Sequence, residues 1–377
     1  MTDFNSLRYG FIGLGLIGGS IARAIRRYWP DSYICAYNPS KDSLKEAAES
    51  GIINEGRSFE DTAPGHLFPG DLFDECDIIF LCAPVKDNAA NLLEIRPHLK
   101  PGAILTDIGS TKRDIHEHVA AAGLQKYFVG GHPMTGSERT RFRNSSAALL
   151  ENAYYILSPE ENADPRIADT MKAFVEGIHA IPLVVPCRFH DYAVAGISHL
   201  PHVIAASLVN LVRESDNDSQ IMKQIAAGGF KDITRIASSS PEMWQQICLT
   251  NKDNIVSLLD DYMDLLGKAR DSIASGDRDR LYTLFGDARD YRDSFTETGS
   301  GAHNRLHIIH VDIEDHPASL AEVVTLLAVN AISIKNIAIT HNREYQEGVL
   351  RVEFYTDAAR QAAAEILSQR NYVIHLS

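Results

Sequence analysis

Two periodicities of apolar residues divide the chain. Up to about residue 186, short apolar runs alternate with amphipathic stretches. The runs YGFIG (9–13), SYICAY (32–37), DIIFLCAPV (77–85), AILTDIG (103–109), KYFVGGH (126–132), AYYILSP (153–159) and IPLVVP (181–186) predict strands. The stretches 19–28, 41–50, 87–98 and 165–177 predict helices between them. Such alternation implies βαβ units and a mainly parallel sheet. From 188 to 298 the strand signals vanish and a helical period takes over. Within 251–273, Ile255, Leu258, Leu259, Tyr262, Leu265 and Leu266 mark a helix long enough to pack against another subunit. The run Ala193–Val212 is nearly apolar, but it contains Ser198, His199, Pro201, His202 and Asn210. The expectation is therefore a helix buried within the protein and not a membrane span. After a small polar linker (295–304), the strands 305–313, 332–341, 348–356 and 372–376 and the helices 319–330 and 357–370 give the order βαββαβ of a ferredoxin-like module.

The first strand runs directly into Gly13-x-Gly15-x-x-Gly18 and a helix. This is a dinucleotide-binding arrangement. The first glycine permits a tight turn, the second lets backbone approach a pyrophosphate, and the third lets helix and strand pack closely. The fold class expected is thus an α/β Rossmann-like domain over 1–187, an all-α domain over 188–298 and the βαββαβ module over 304–377. The second strand ends in Tyr37-Asn38-Pro39-Ser40-Lys41, where an Asp or Glu would bind the ribose hydroxyls of NAD. Asn38 with Ser40 and Lys41 permits a 2′-phosphate, and Asn38 bonded to the hydroxyls permits NAD, so the reading is NAD or NADP.

Charge narrows the partners. Thirty-six Lys and Arg against 50 Asp and Glu leave a formal net charge of −14, which argues against nucleic acid and anionic membranes. An anionic substrate then needs a locally basic pocket. The five cysteines have spacings that suit no zinc site and read as reduced cytosolic thiols. The start MTDFNSLRYG lacks a basic segment followed by an apolar one, which predicts no signal peptide and a cytoplasmic protein.

Four further blocks can carry chemistry: DIGSTK (107–112), GGHPMTGSE (130–138), HDYAVAGISHLPH (190–202) and GGFKDITRIASSSPEMW (228–244). In this order, behind the glycine fingerprint, they resemble the prephenate dehydrogenase family over roughly residues 7–298. The C-terminal module resembles an ACT domain, an amino-acid-sensing unit. The resemblance implies hydride transfer from prephenate to NAD(P) with loss of CO2, giving 4-hydroxyphenylpyruvate in tyrosine biosynthesis, and a homodimer formed through the helical domain. It implies that His132 accepts the C4 hydroxyl proton and that Ser110 bonds near this histidine and the hydroxyl. Ser110 also suits the N-cap of the following helix. Arg235 is implied to bind a substrate carboxylate, and a structural ion pair with Asp232 or Glu138 is the alternative. His202, Glu138 and Lys231 are further substrate-binding positions, with His190 and His199 as weaker neighbours. Trp244 reads as core packing. The chemistry needs no metal, and HLPH has no carboxylate or cysteine at ligand spacing. In the module, Asp315, His316 and Asn336 are the expected tyrosine contacts, although Ala318 stands where the family usually has glycine. Three other readings stay open. They are arogenate dehydrogenase, a β-hydroxyacid dehydrogenase (disfavoured because 190–212 holds no lysine) and a nucleotide-binding sensor without turnover.

Overall fold

A computed structural model gives the fold and describes residues 2–136, 141–160, 163–298, 307–314, 318–340 and 348–376. These form two compact units, Met1–Leu266 and Gly267–Ser377.

The first unit is built on an eight-stranded sheet. Its strands are β1 (Arg8–Ile12), β2 (Tyr33–Tyr37), β3 (Glu55–Arg57), β4 (Ile78–Leu81), β5 (Ile104–Asp107), β6 (Phe128–Pro133), β7 (Tyr154–Pro159) and β8 (Ile181–Val184). The order is β3-β2-β1-β4-β5-β6-β7-β8. All neighbours are parallel except β6 and β7, which run antiparallel. The central strands read as unbroken apolar runs because both faces are covered. Tyr9, Phe11, Phe80 and Val129 join α1 (Leu16–Tyr28) and α5 (Pro165–Gly177) in one core. Ile12, Ile79, Leu81 and Leu105 join α3 (Asn88–Ile95) and α4 (Arg113–Ala122) in the other. The helix α2 (Lys41–Glu49) links β2 to β3. The strand order reverses between β1 and β4, which opens a crevice at the carboxyl ends of those strands.

After β8 the unit is helical. One continuous helix, Cys187–Ser215, contains α6 (Cys187–Val194), a π-helical turn (Ala195–His199) and α7 (Leu200–Ser215). It is followed by α8 (Ile221–Ile225), α9 (Gly228–Thr234), α10 (Pro241–Thr250) and α11 (Lys252–Ser275), and α11 runs on into the second unit. The expectation that Ala193–Val212 is buried within the chain is not met. By length and composition this helix could cross a membrane, yet only 28% of its most apolar window is buried. Ile197 and Leu211 lie 71% and 60% exposed, so the apolar character serves a surface and not the core of this unit.

The second unit contains α12 (Arg278–Thr298) and then β9 (His307–Ile313), α13 (Ser319–Val329), β10 (Ile334–Thr340), β11 (Gly348–Phe354), α14 (Asp357–Ser368) and β12 (Ile374–Leu376). The antiparallel sheet has the order β10-β11-β9-β12, the ferredoxin-like arrangement that βαββαβ predicts. Ile309, Val311, Leu350, Val352 and Phe354 face Val323, Leu327, Ala363 and Leu367 from the two helices.

Candidate active site

The glycine fingerprint forms one wall of a groove of about 390 Å³, lined by Gly13, Leu14, Gly15, Tyr37, Asn38, Cys82, Ala83 and Pro84 among others. It lies at the β1/β4 crevice. Gly13 has φ +98°, and a Cβ there would stand 2.8 Å from the Cys82 carbonyl carbon. Only glycine fits both demands. Gly18 lets α1 close on the sheet, since a Cβ would meet Cys82 Sγ at 3.0 Å. A Cβ on Gly15 would meet nothing within 4 Å, and α1 begins at the next residue with its amides unpaired at that end. The groove therefore offers what a dinucleotide pyrophosphate requires: a close backbone, open space and a helix N-terminus. Asn38 is used structurally. Its Oδ1 accepts from the Leu14 amide at 3.0 Å and its Nδ2 donates to the Ser40 carbonyl at 3.0 Å. Lys41 pairs with Glu60 at 2.5 Å. Ser40 precedes α2 and its side chain makes no cap bond.

His132 sits near the end of β6. This is the carboxyl edge of the sheet, the edge that also carries the glycine loop, because β1, β4, β5 and β6 run parallel. Its position is set from below by a buried ion pair. Lys112 and Asp107, both fully buried, bond to each other through Nζ and Oδ2. Asp107 Oδ1 also accepts from the Gly131 amide at 3.1 Å, and Lys112 Nζ donates to the Gly131 carbonyl at 2.7 Å. Both polar groups of the residue before His132 are thereby held. No side chain fits on that residue, since a Cβ on Gly131 would lie 2.5 Å from the Asp107 carbonyl oxygen. A Cβ on Gly130 would lie 2.8 Å from His116 Nε2. Burial pushes the Lys112 ammonium down in pKa, against the pull of Asp107.

Beside His132 stands α6. His132 Nδ1 lies 2.8 Å from His190 Nε2, and His190 Nδ1 lies 2.8 Å from Asp191 Oδ1. Asp191 also accepts from the amides of Lys112 and Arg113 at 2.7 and 2.8 Å, at the start of α4. The expected N-cap role of Ser110 is therefore corrected: α4 starts at Arg113, and its first amides are taken by a carboxylate from another helix. Ser110 is half-buried on the turn after β5, and its hydroxyl has no hydrogen-bond partner among the described residues. Burial alone would raise the Asp191 carboxyl, but the bonds from His190, Arg113 and Lys112 outweigh it and hold it below the usual range. Burial, then His190, Lys112 and His199, push His132 well below the ordinary histidine range, so its ring is neutral near pH 7.

The cluster continues along the same long helix. Asn251 donates from Nδ2 to the Asp191 carbonyl at 2.7 Å and to His199 Nδ1 at 3.1 Å. His199 is lowered to about 4, mainly by burial. His202 donates from Nδ1 to the Ser198 carbonyl at 2.8 Å, which leaves Nε2 as its acceptor. Trp244, expected in the core, instead stacks on His202 with ring centres 3.6 Å apart and meets His199 edge-on at 5.9 Å. Arg235 follows α9 on a short 3₁₀ turn and is exposed. Its charge, after burial, helps to lower His202. Lys231 is exposed on α9, and Glu138 lies outside the described residues. Among the described residues, no three His, Cys, Asp or Glu side chains converge to hold a metal. The sequence reading missed Asp107, Lys112, Asp191 and Asn251 and ranked His190 low. Only the position of the first two inside the DIGSTK block and of Asp191 inside HDYAVAGISHLPH pointed to them.

Comparison with known proteins agrees with this geometry. The family model for the prephenate dehydrogenase nucleotide-binding domain matches residues 21–183, and that for the prephenate dehydrogenase dimerization domain matches 186–287. A prephenate dehydrogenase of Bacillus subtilis is 36% identical over 360 residues, covering 95% of both chains. The structure of Aquifex aeolicus prephenate dehydrogenase in complex with hydroxyphenyl propionate and NAD+ is 28% identical, with a TM-score of 0.70, over 77% of this chain and 98% of that one. Synechocystis arogenate dehydrogenase is also 28% identical, with a TM-score of 0.67, over 77% of this chain and all of the other. With both family models matched and a relative 36% identical over nearly the full length, the chain belongs to the prephenate dehydrogenase family.

Proposed function

We propose that this protein is an NAD(P)-dependent prephenate dehydrogenase of tyrosine biosynthesis, cytoplasmic and homodimeric. The observation that carries the reading is His132: neutral, held by a buried ion pair and backed by an imidazole, on the sheet edge that bears the dinucleotide groove. In the reaction the C4–H leaves as hydride, the C4 hydroxyl gives up its proton, and the ring carboxylate departs as CO2. The oxygen, now phenolic, then regains a proton. Bound nicotinamide supplies the hydride acceptor. Gly13, Gly15, Gly18 and the start of α1 hold the pyrophosphate, and Asn38 braces the loop that does so. His132 takes the hydroxyl proton, a contribution of about 10²–10⁴ in rate. The Ser110 hydroxyl is assigned to bond the same oxygen. Arg235 binds a carboxylate, with His202 and Lys231 as further substrate contacts; Glu138, assigned to the substrate by the resemblance, lies outside the described residues.

Lys41 already pairs with Glu60, and both polar ends of the Asn38 amide are engaged with backbone. Neither is set aside for a 2′-phosphate, which favours NAD over NADP. The exposed apolar residues of α7 and α11, such as Leu211, Val256 and Leu265, support a dimer through this region. The C-terminal module is read as an ACT domain that binds tyrosine and lowers activity. The 4-stranded sheet with two helices on one face supports it. Asp315 and His316 lie outside the described residues, and Asn336 is exposed with its Oδ1 bonded to the Ile337 amide.

Steady-state turnover of prephenate against NAD+ and NADP+, repeated with arogenate and with added tyrosine, tests the reading. Prephenate with NAD+ is the expected best pair. Absence of turnover on both substrates would contradict the reading.

A further inference from the structure

The bonds behind His132 form a chain in which each donor is determined by the next. Asp191 is an ionised carboxylate and can only accept. It already takes the amides of Lys112 and Arg113, so its third contact, His190 Nδ1, must be an N–H donor. At about pH 8, where an ordinary imidazole is neutral, the ring then has a bare Nε2, which can only accept. His132 Nδ1, 2.8 Å away, must therefore carry the hydrogen. What remains for chemistry is a bare Nε2 on His132.

We infer that His190, fixed by Asp191, is a positioning residue that sets the tautomer of His132 and so makes Nε2 the atom that receives the hydroxyl proton. The inference rests on the proton-acceptor role proposed above. The location of the pair supports it. His190 is fully buried and Asp191 nearly so, 58 and 59 residues along the chain from His132, in a helix whose opposite side is largely exposed. The backbone of Asp191 is held as well as its side chain, through the Asn251 amide. An imidazole whose Nδ1 finds no acceptor loses the constraint that keeps its Nε2 bare, and a base in the wrong tautomer cannot take a proton at that nitrogen.

The direct test is ¹⁵N NMR of ring-labelled full-length enzyme at about pH 8, where an ordinary imidazole is neutral, with His132 assigned through His132→Asn. The expected spectrum has a protonated Nδ1 and a bare Nε2 on His132. A protonated Nε2 would overturn the inference, and this measurement needs neither turnover nor a variant of His190. Kinetics add a second arm. His190→Leu removes the acceptor and should lower kcat about 100-fold, with KM for prephenate changed less than about threefold. His190→Gln places an amide oxygen near Nδ1 and should recover about tenfold of that loss. A leucine variant within about threefold of wild type in kcat, or equal losses in both variants, contradicts the inference. Melting temperature and NAD+ affinity show whether each variant is folded; if neither is, the wild-type spectrum decides. Failure of wild-type enzyme to oxidise prephenate would instead count against the proposed function and leave the tautomer result standing.

Discussion

The two glycine pairs at the carboxyl edge of the sheet, one in the loop after β1 and one within β6, look alike in sequence and differ in physical purpose. At the first, Gly13 has a positive φ and Gly15 faces open space. At the second, neither Gly130 nor Gly131 has a positive φ, and both are pressed against side chains and backbone of the protein itself. In the first pair Gly13 makes a tight turn against the Cys82 backbone, and Gly15 keeps room for something outside the chain. The second keeps room for a buried Lys112–Asp107 pair that holds the strand carrying His132. A glycine before a functional residue can thus mean ligand approach or internal packing, and only the neighbours distinguish them.

The sharpest break of this comparison is at the second pair. Gly131→Ala puts a methyl group into the Asp107 carbonyl and should displace His132, lowering kcat by about 100-fold or more. Lys112→Met strips the partner from a buried carboxylate and should destabilise by about 3–5 kcal/mol in chemical denaturation. At the first turn, Gly15→Ala should leave the melting temperature within about 2 °C of wild type, because the protein offers no clash there. It should still raise KM for NAD+ by about tenfold, a loss of about 1.4 kcal/mol. A variant with unchanged KM would mean that Gly15 does not face the cofactor.

Protons give a second contrast. His132, His199, His202 and His116 are all lowered, chiefly by burial. Each binds its proton more weakly folded than unfolded. Their stabilisation is therefore full above the unfolded histidine value, about 6.5, and is lost as pH falls toward the folded values, about 4 for His199. Melting temperature should fall across that window. kcat/KM should fall on the acid side as His132 becomes charged, with a midpoint below about 6.5. A midpoint above it would contradict the burial of His132.

The smallest effect belongs to the C-terminal module. Ala318 has φ +83°, a left-handed conformation that costs a non-glycine residue of order 1 kcal/mol. Ala318→Gly should stabilise the module by about that amount, read as a rise in melting temperature.

Much of this was legible from the sequence. The apolar runs located seven strands of the large sheet and all four of the small one within a few residues, because buried strands leave a local signature. The strand β3, EGR, was not foreseen, since an edge strand of three polar or small residues has no such signature. Nor was the antiparallel turn of β7, which depends on where the chain goes between 134 and 153. The glycine fingerprint and His132 could be found by motif. The support behind His132 could not, because Lys112 meets Asp191 across 79 residues and His132 meets His190 across 58. Local patterns do not encode such pairings. The exposed side of the long apolar helix misled for a related reason: apolarity reports burial without saying in what.

The most direct test of the central claim is His132→Asn, assayed for both turnover and ligand affinity. The amide keeps the polarity and approximate size of the side chain but takes up no proton at neutral pH. The expected result is a fall in kcat of about 10²–10⁴ with NAD+ affinity intact and prephenate binding changed less than about threefold. Turnover near the wild-type rate would contradict the assignment of His132 as the proton acceptor.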